Sequence, residues 1–81
     1  MIPRFTLTSA AIPKLRKKQE SAVYEALAQQ PQSQSLEMVV EWCCAHGYRQ
    51  LMQNPVALSD VWDSVLWHLK RLKEAGVVRE E

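Results

Sequence analysis

The sequence predicts a mainly α-helical domain, three helices with a minimal two-stranded β element. Three stretches carry apolar residues at helical spacing, and each is bounded by residues that start or stop helices. The stretches between them are short and polar or contain proline. At 81 residues the chain forms a single domain, 1–81, with one small core, because a fold of this size buries only about 60% of the surface its unfolded chain exposes. A second domain, an interdomain cleft and a large catalytic barrel are excluded on the same ground.

Residues 1–12 read as an N-terminal arm, with an extended segment at Arg4–Thr8. The first helix is expected over 13–30. Pro13 suits the first turn, where its missing N–H is unpaired in any case, and Pro31 stops the helix. Leu15, Ala22, Val23, Ala26 and Leu27 share one side; Lys14, Lys17 and Lys18 share the other with Ser21 and Glu25. The basic cluster reads either as a solvated face or as a patch that contacts phosphates. Residues 29–35, rich in Gln and Ser, read as a polar linker.

The second helix is expected over 36–46. Ser35 is a good N-cap, Glu37 puts negative charge in the first turn, and Gly47 suits the C-terminal cap. Leu36, Val39, Val40, Cys43 and Cys44 form a broad stripe that Met38 and Trp42 widen past half the circumference, so this helix is expected to be surrounded on most sides. The connector from Tyr48 to Leu58 has room for one helical turn before Pro55.

The third helix is expected over 60–75, capped by Ser59 or Asp60 and ended by Gly76. Val61, Val65, Leu69 and Leu72 form its inward stripe, flanked by Trp62 and Leu66. Asp60, Asp63, Ser64, Lys70, Arg71 and Glu74 form the opposite face, with Trp67 in the middle of it. Val77–Arg79 reads as a second extended segment that pairs with Arg4–Thr8. Trp42 and Trp62 are assigned to the core. Trp67 has two readings of equal weight: it covers the connector or the first helix, or it anchors a protein interface, where Trp is enriched.

The formal charge of +1 hides a gradient: net +4 over residues 1–20, −3 over 21–60 and zero over 61–81. No apolar run approaches the roughly 18 residues of a membrane span, so no membrane partner is expected. The N-terminus, interrupted by Pro3 and Arg4, lacks the apolar stretch of a secretory signal. Two adjacent cysteines, Cys43 and Cys44, make no disulfide framework, and a reducing cytoplasm is the expected setting. Cys43 and His46 share a helix face, but Cys44 points elsewhere, and a structural zinc site wants four ligands. There is no Gly-rich phosphate loop, no Gly-x-Ser-x-Gly and no His-Glu-x-x-His. No catalytic residue, no metal and no cofactor is therefore assigned, and the chain is not read as an enzyme.

The run Asp63-Ser64-Val65-Leu66-Trp67-His68-Leu69-Lys70-Arg71-Leu72-Lys73-Glu74-Ala75-Gly76-Val77-Val78 resembles the recognition helix of winged helix-turn-helix regulators of the ArsR and MarR type. The resemblance covers about one fifth of the chain. It implies a three-helix winged-helix-like domain, with 36–46 as the positioning helix, His68 as a packing residue, and double-stranded DNA as the partner. Such helices dock in the major groove with their N-terminal residues at base edges. By position, Asp63, Ser64 and Trp67 face bases, Lys70 and Arg71 meet phosphates, and Arg79 opens the strand that leads to the wing. Lys14, Lys17 and Lys18 complete the expected DNA contacts. The function so implied is a DNA-binding transcriptional regulator, as a dimer.

A second function class stands beside it: a protein–protein interaction module on the same scaffold, working through Trp67 on a homodimer or another protein. The acidic start of the third helix, the near-neutral total and the three residues left after Val78, too few for a wing hairpin, favour that class.

Overall fold

The computed structural model describes residues 2–8, 18–52 and 57–81. In chain order these form strand β1 (Arg4–Leu7), helix α1 (Lys18–Ala28), strand β2 (Gln34–Ser35), helix α2 (Leu36–Ala45), a 3-10 turn (Tyr48–Leu51), helix α3 (Leu58–Glu74) and strand β3 (Val78–Glu80). The three helices pack on one another, and a small antiparallel sheet in the order β2-β1-β3 lies beside them. The domain is mainly α with a minimal β element.

The described part of α1 buries Val23, Ala26 and Leu27, as their spacing requires. Pro13, Lys14, Leu15 and Lys17, assigned to this helix from sequence, lie outside the described residues. The helix ends at Ala28, two residues before the expected end. The Gln29 amide side chain donates to the Glu25 carbonyl at 3.1 Å and closes the last turn.

The expected pairing of the two extended segments is present, with Phe5 opposite Glu80, Thr6 opposite Arg79 and Leu7 opposite Val78. The sheet has three strands rather than two, because Gln34 and Ser35 pair with Phe5 and Arg4. The supposed linker therefore contributes a strand. Gln34 is buried, and its side-chain amide donates to the Ala26 carbonyl at 2.9 Å, which removes the cost of burying it. The Arg4 guanidinium donates to the Ser33 hydroxyl at 3.0 Å and to the Ser33 carbonyl at 2.6 Å, fixing the approach to β2.

Helix α2 begins as expected: the Ser35 hydroxyl accepts from the Met38 N–H at 3.4 Å. It ends at Ala45, one residue before the expected end, with His46 as its C-cap and then Gly47, whose φ of +79° lies in the left-handed region that glycine tolerates best. Its buried face is narrower than the sequence suggests. Val39, Val40 and Cys43 are buried, whereas Leu36, Met38, Trp42 and Cys44 are only partly covered. Trp42 packs against the core from its edge, and its indole stacks on the His46 ring at 3.7 Å and 13°. Trp62 is likewise half-buried, at the edge of the core. Burial, with the neighbouring Cys44 as a smaller cause, pushes the Cys43 thiol pKa up to about 12, so it stays protonated.

The connector holds the expected turn, and with it a core residue the sequence reading passed over. Tyr48 is fully buried, and its hydroxyl shares a 2.7 Å hydrogen bond with the Ser64 hydroxyl of α3. Burial raises the Tyr48 phenol pKa, against a lowering by that hydrogen bond.

Helix α3 starts at Leu58 after an N-cap at Ala57, earlier than the expected Ser59 or Asp60 cap. Asp60 instead serves the first turn from within, its carboxylate accepting the Ala57 N–H at 3.2 Å. The helix ends in a Schellman motif. Gly76 N–H donates to Lys73 O at 3.0 Å, Val77 N–H donates to Leu72 O at 2.9 Å, and Gly76 takes a φ of +79°. Val77 and Leu72 are both buried, so the motif also delivers β3 to the core.

Candidate interaction face on the third helix

Val61, Val65, Leu69 and Leu72 face the core as expected, and His68 is buried among them. That leaves the other side of α3 to solvent: Asp60, Asp63, Trp67, Lys70 and Glu74 are exposed, and Arg71 is partly so. Trp67 keeps 50% of its surface exposed, the largest exposed aromatic among the described residues. Half of its surface is thus open to solvent, while residues 13–17 of the expected first helix and 53–56 of the connector, which the covering reading invokes, lie outside the described residues. The Arg71 guanidinium lies 5.1 Å from the centre of its ring, within cation–π range, and the His68 ring meets it edge-on at 5.0 Å.

This face rests on a buried polar cluster between α1 and α3. Glu20, only 6% exposed, sets its Oε2 3.4 Å from His68 Nδ1 and 3.6 Å from Arg71 Nε. His68 Nε2 lies 3.3 Å from Gln19 Oε1, while the Gln19 amide nitrogen donates to the Leu51 carbonyl at 3.0 Å. Glu20 and Arg71 thereby tie the outer face to the core: the side chain that covers the Trp67 ring is held by a carboxylate from another helix. His68 is a packed, partnered residue, as the resemblance implied.

Of the residues assigned from sequence, Asp63, Trp67, Lys70 and Arg71 share the outer side of α3. Ser64 does not join them. Its hydroxyl is half-buried and engaged with Tyr48, so it is held toward the connector rather than toward a base edge. Arg79 sits apart in β3, exposed, with Nη2 3.1 Å from Glu81 Oε1. Lys18 is exposed at the start of α1, and Lys14 and Lys17 fall outside the described residues. Glu20, Gln19 and Tyr48 were missed. Glu20 had a signal: it stands three and seven residues before Val23 and Leu27, a charge on an apolar stripe.

Among the described residues no three His, Cys, Asp or Glu side chains gather where they could hold a metal ion. Among the described residues, shallow concavities lie on the surface. One is lined by Phe5, Lys70, Lys73, Glu74 and Glu80, with Lys73 already 3.7 Å from Glu80; another by Ile2, Pro3, Ser35, Leu36, Glu37 and Trp62. Neither of these brings a nucleophile to a base. No described helix is long and apolar enough to cross a membrane. Comparison with protein-family models, with curated proteins and with solved structures finds no match.

Proposed function

We propose that the domain is a winged-helix-like DNA-binding module, acting in the cytoplasm as a transcriptional regulator and reading duplex DNA with α3. The observation that carries this reading is the 17-residue α3 itself, anchored along one side by the core and uncovered along the other from Asp60 to Glu74. A B-form major groove about 12 Å wide admits such a helix. In that docking Asp63 accepts from a cytosine amino group, Trp67 packs against a thymine methyl, and Lys70 and Arg71 meet phosphates. Lys18 adds a phosphate contact from the start of α1, Arg79 adds one from β3, and Lys14 and Lys17, which precede α1 in the sequence, add two more. The strand that leaves α3 is paired with β1 at the edge of the sheet.

Titration with duplex DNA tests the proposal. Affinity should fall steeply as salt rises, with a log–log slope of about −0.9 per phosphate contact, and Lys70→Ala should reduce that slope by about one contact. Absence of binding at low salt rejects it.

A second reading, a protein–protein interaction module, is favoured by one specific observation: a half-exposed Trp67 beside the acidic Asp60 and Asp63. Carboxylates repel phosphates, whereas an exposed Trp ringed by polar groups is a typical protein anchor.

A further inference from the structure

The outer side of α3 carries a pattern that is its own complement. Leu66 and Trp67 form an apolar centre, with Leu66 partly and Trp67 half exposed. Asp63 lies three and a half residues before the midpoint of this pair, and Lys70 lies the same distance after it. At a rise of 1.5 Å per residue each charge sits ~5 Å from the midpoint along the axis. Positions 63, 66, 67 and 70 follow the i, i+3, i+4, i+7 spacing of one helical face. Asp63 and Lys70 are both exposed, and neither belongs to an ion pair among the described residues.

From this arrangement we infer that the occupant of the α3 face is a second copy of the chain, bound with the two α3 helices antiparallel about a two-fold axis between Leu66 and Trp67. This deepens the interaction-module reading and rests on it. A two-fold interface sets the same patch against itself, so residue 63 of each copy must face residue 70 of the other. The axis makes two reciprocal Asp63–Lys70 pairs and brings the two Leu66–Trp67 centres together. Asp60 and Glu74 lie at the two ends of the face, beyond the two Asp63–Lys70 pairs. Parallel pairing would set Asp63 on Asp63 and Lys70 on Lys70, which like-charge repulsion disfavours. The Arg71 guanidinium, 3.6 Å from Glu20 Oε2, lies 5.1 Å from the centre of the Trp67 ring, and the exposed half of the indole remains for the partner. One helix face is smaller than a standard interface of about 1,600 Å², so the association is weak and readily reversed. It covers the surface that would enter a DNA groove, so pairing and DNA binding exclude each other.

Sedimentation equilibrium of the full chain across ~10 µM to ~1 mM, where weak self-association is read, should show a monomer converting to a dimer. Asp63→Lys and Lys70→Asp, each checked for helix content by circular dichroism, should each weaken self-association at least about tenfold, because each replaces two attractive pairs with two repulsive ones. Mixed in equal amounts, the two variants should associate again, since every 63–70 contact between them joins opposite charges. A wild-type chain that stays monomeric overturns the proposal. So do single variants that dimerise as well as the wild type, and so does a mixture that stays monomeric when the wild type dimerises. A monomeric wild type leaves the interaction-module reading to be judged by partner binding that depends on Trp67, and the DNA reading is judged separately by the salt titration.

Discussion

On its inner side α3 buries Val61, Val65, Leu69 and Leu72 to 2% exposure or less; on its outer side Trp67 keeps half its surface in solvent. The inner side is built from shape and hydrophobic transfer, which are non-directional. It tolerates one polar member, His68, because α1 supplies Glu20 and Gln19 at its two ring nitrogens. The outer side is built from charges around Trp67, with Asp60 and Asp63 before it, Lys70 and Arg71 after it, and Glu74 at its far end. Large apolar residues thus appear on both sides of one helix with different duties: those inside hold the fold, and the one outside is available to a partner.

The sharpest test of this division is a truncation inside. Leu69→Ala should cost about 2–5 kcal/mol in urea unfolding, through lost transfer energy and the cavity left behind. A loss below ~1 kcal/mol, the range expected where packing does not decide, would mean that the inner side is not the core. A smaller effect is expected at the polar member of that side. Glu20→Ala removes the carboxylate from His68 Nδ1 and Arg71 Nε, and should cost about 1–3 kcal/mol in the same assay. It should also free the Arg71 guanidinium, seen as a changed Trp67 fluorescence. A stability change with no fluorescence change would separate the buried cluster from the outer face. Smallest of all is Trp67→Ala, expected to leave unfolding stability within about 0.5 kcal/mol while abolishing self-association or partner binding. If the unfolding midpoint instead drops as it does for Leu69→Ala, Trp67 belongs to the fold and the contrast between the two sides fails.

Much of the fold could be read from the chain because its signals are local. Ser35, Gly47 and Gly76 mark helix ends through their own backbone preferences and hydroxyl chemistry. The α3 stripe follows from a 3.6-residue period, and Trp67 stands out because that period leaves it facing outward. The misses are non-local. Gln34 reads as solvent because its polarity is visible and its acceptor, the Ala26 carbonyl, is not. Tyr48 reads as connector because its partner, Ser64, lies 16 residues away. For the same reason Ser64 was placed with the base-facing residues, at the border of a face where periodicity alone cannot decide which way a small hydroxyl turns. The candidate face was legible in its exposed members, Asp63, Trp67 and Lys70. The support under it, Glu20 reaching across 48 residues to His68, was not.

The pairing of β1 with β3 has a mechanical consequence. Arg4 and Glu81 lie side by side, joined by bonds of 3.3 Å and 2.7 Å, although they stand near opposite ends of the sequence. Inter-strand bonds of an antiparallel pair run across the strands. Tension applied between these two residues therefore loads the ladder from one end, opening it bond by bond like a zipper instead of shearing all its bonds at once. Opening that ladder frees β3 and with it Val78 from the core, while β1 and Phe5 stay paired with β2.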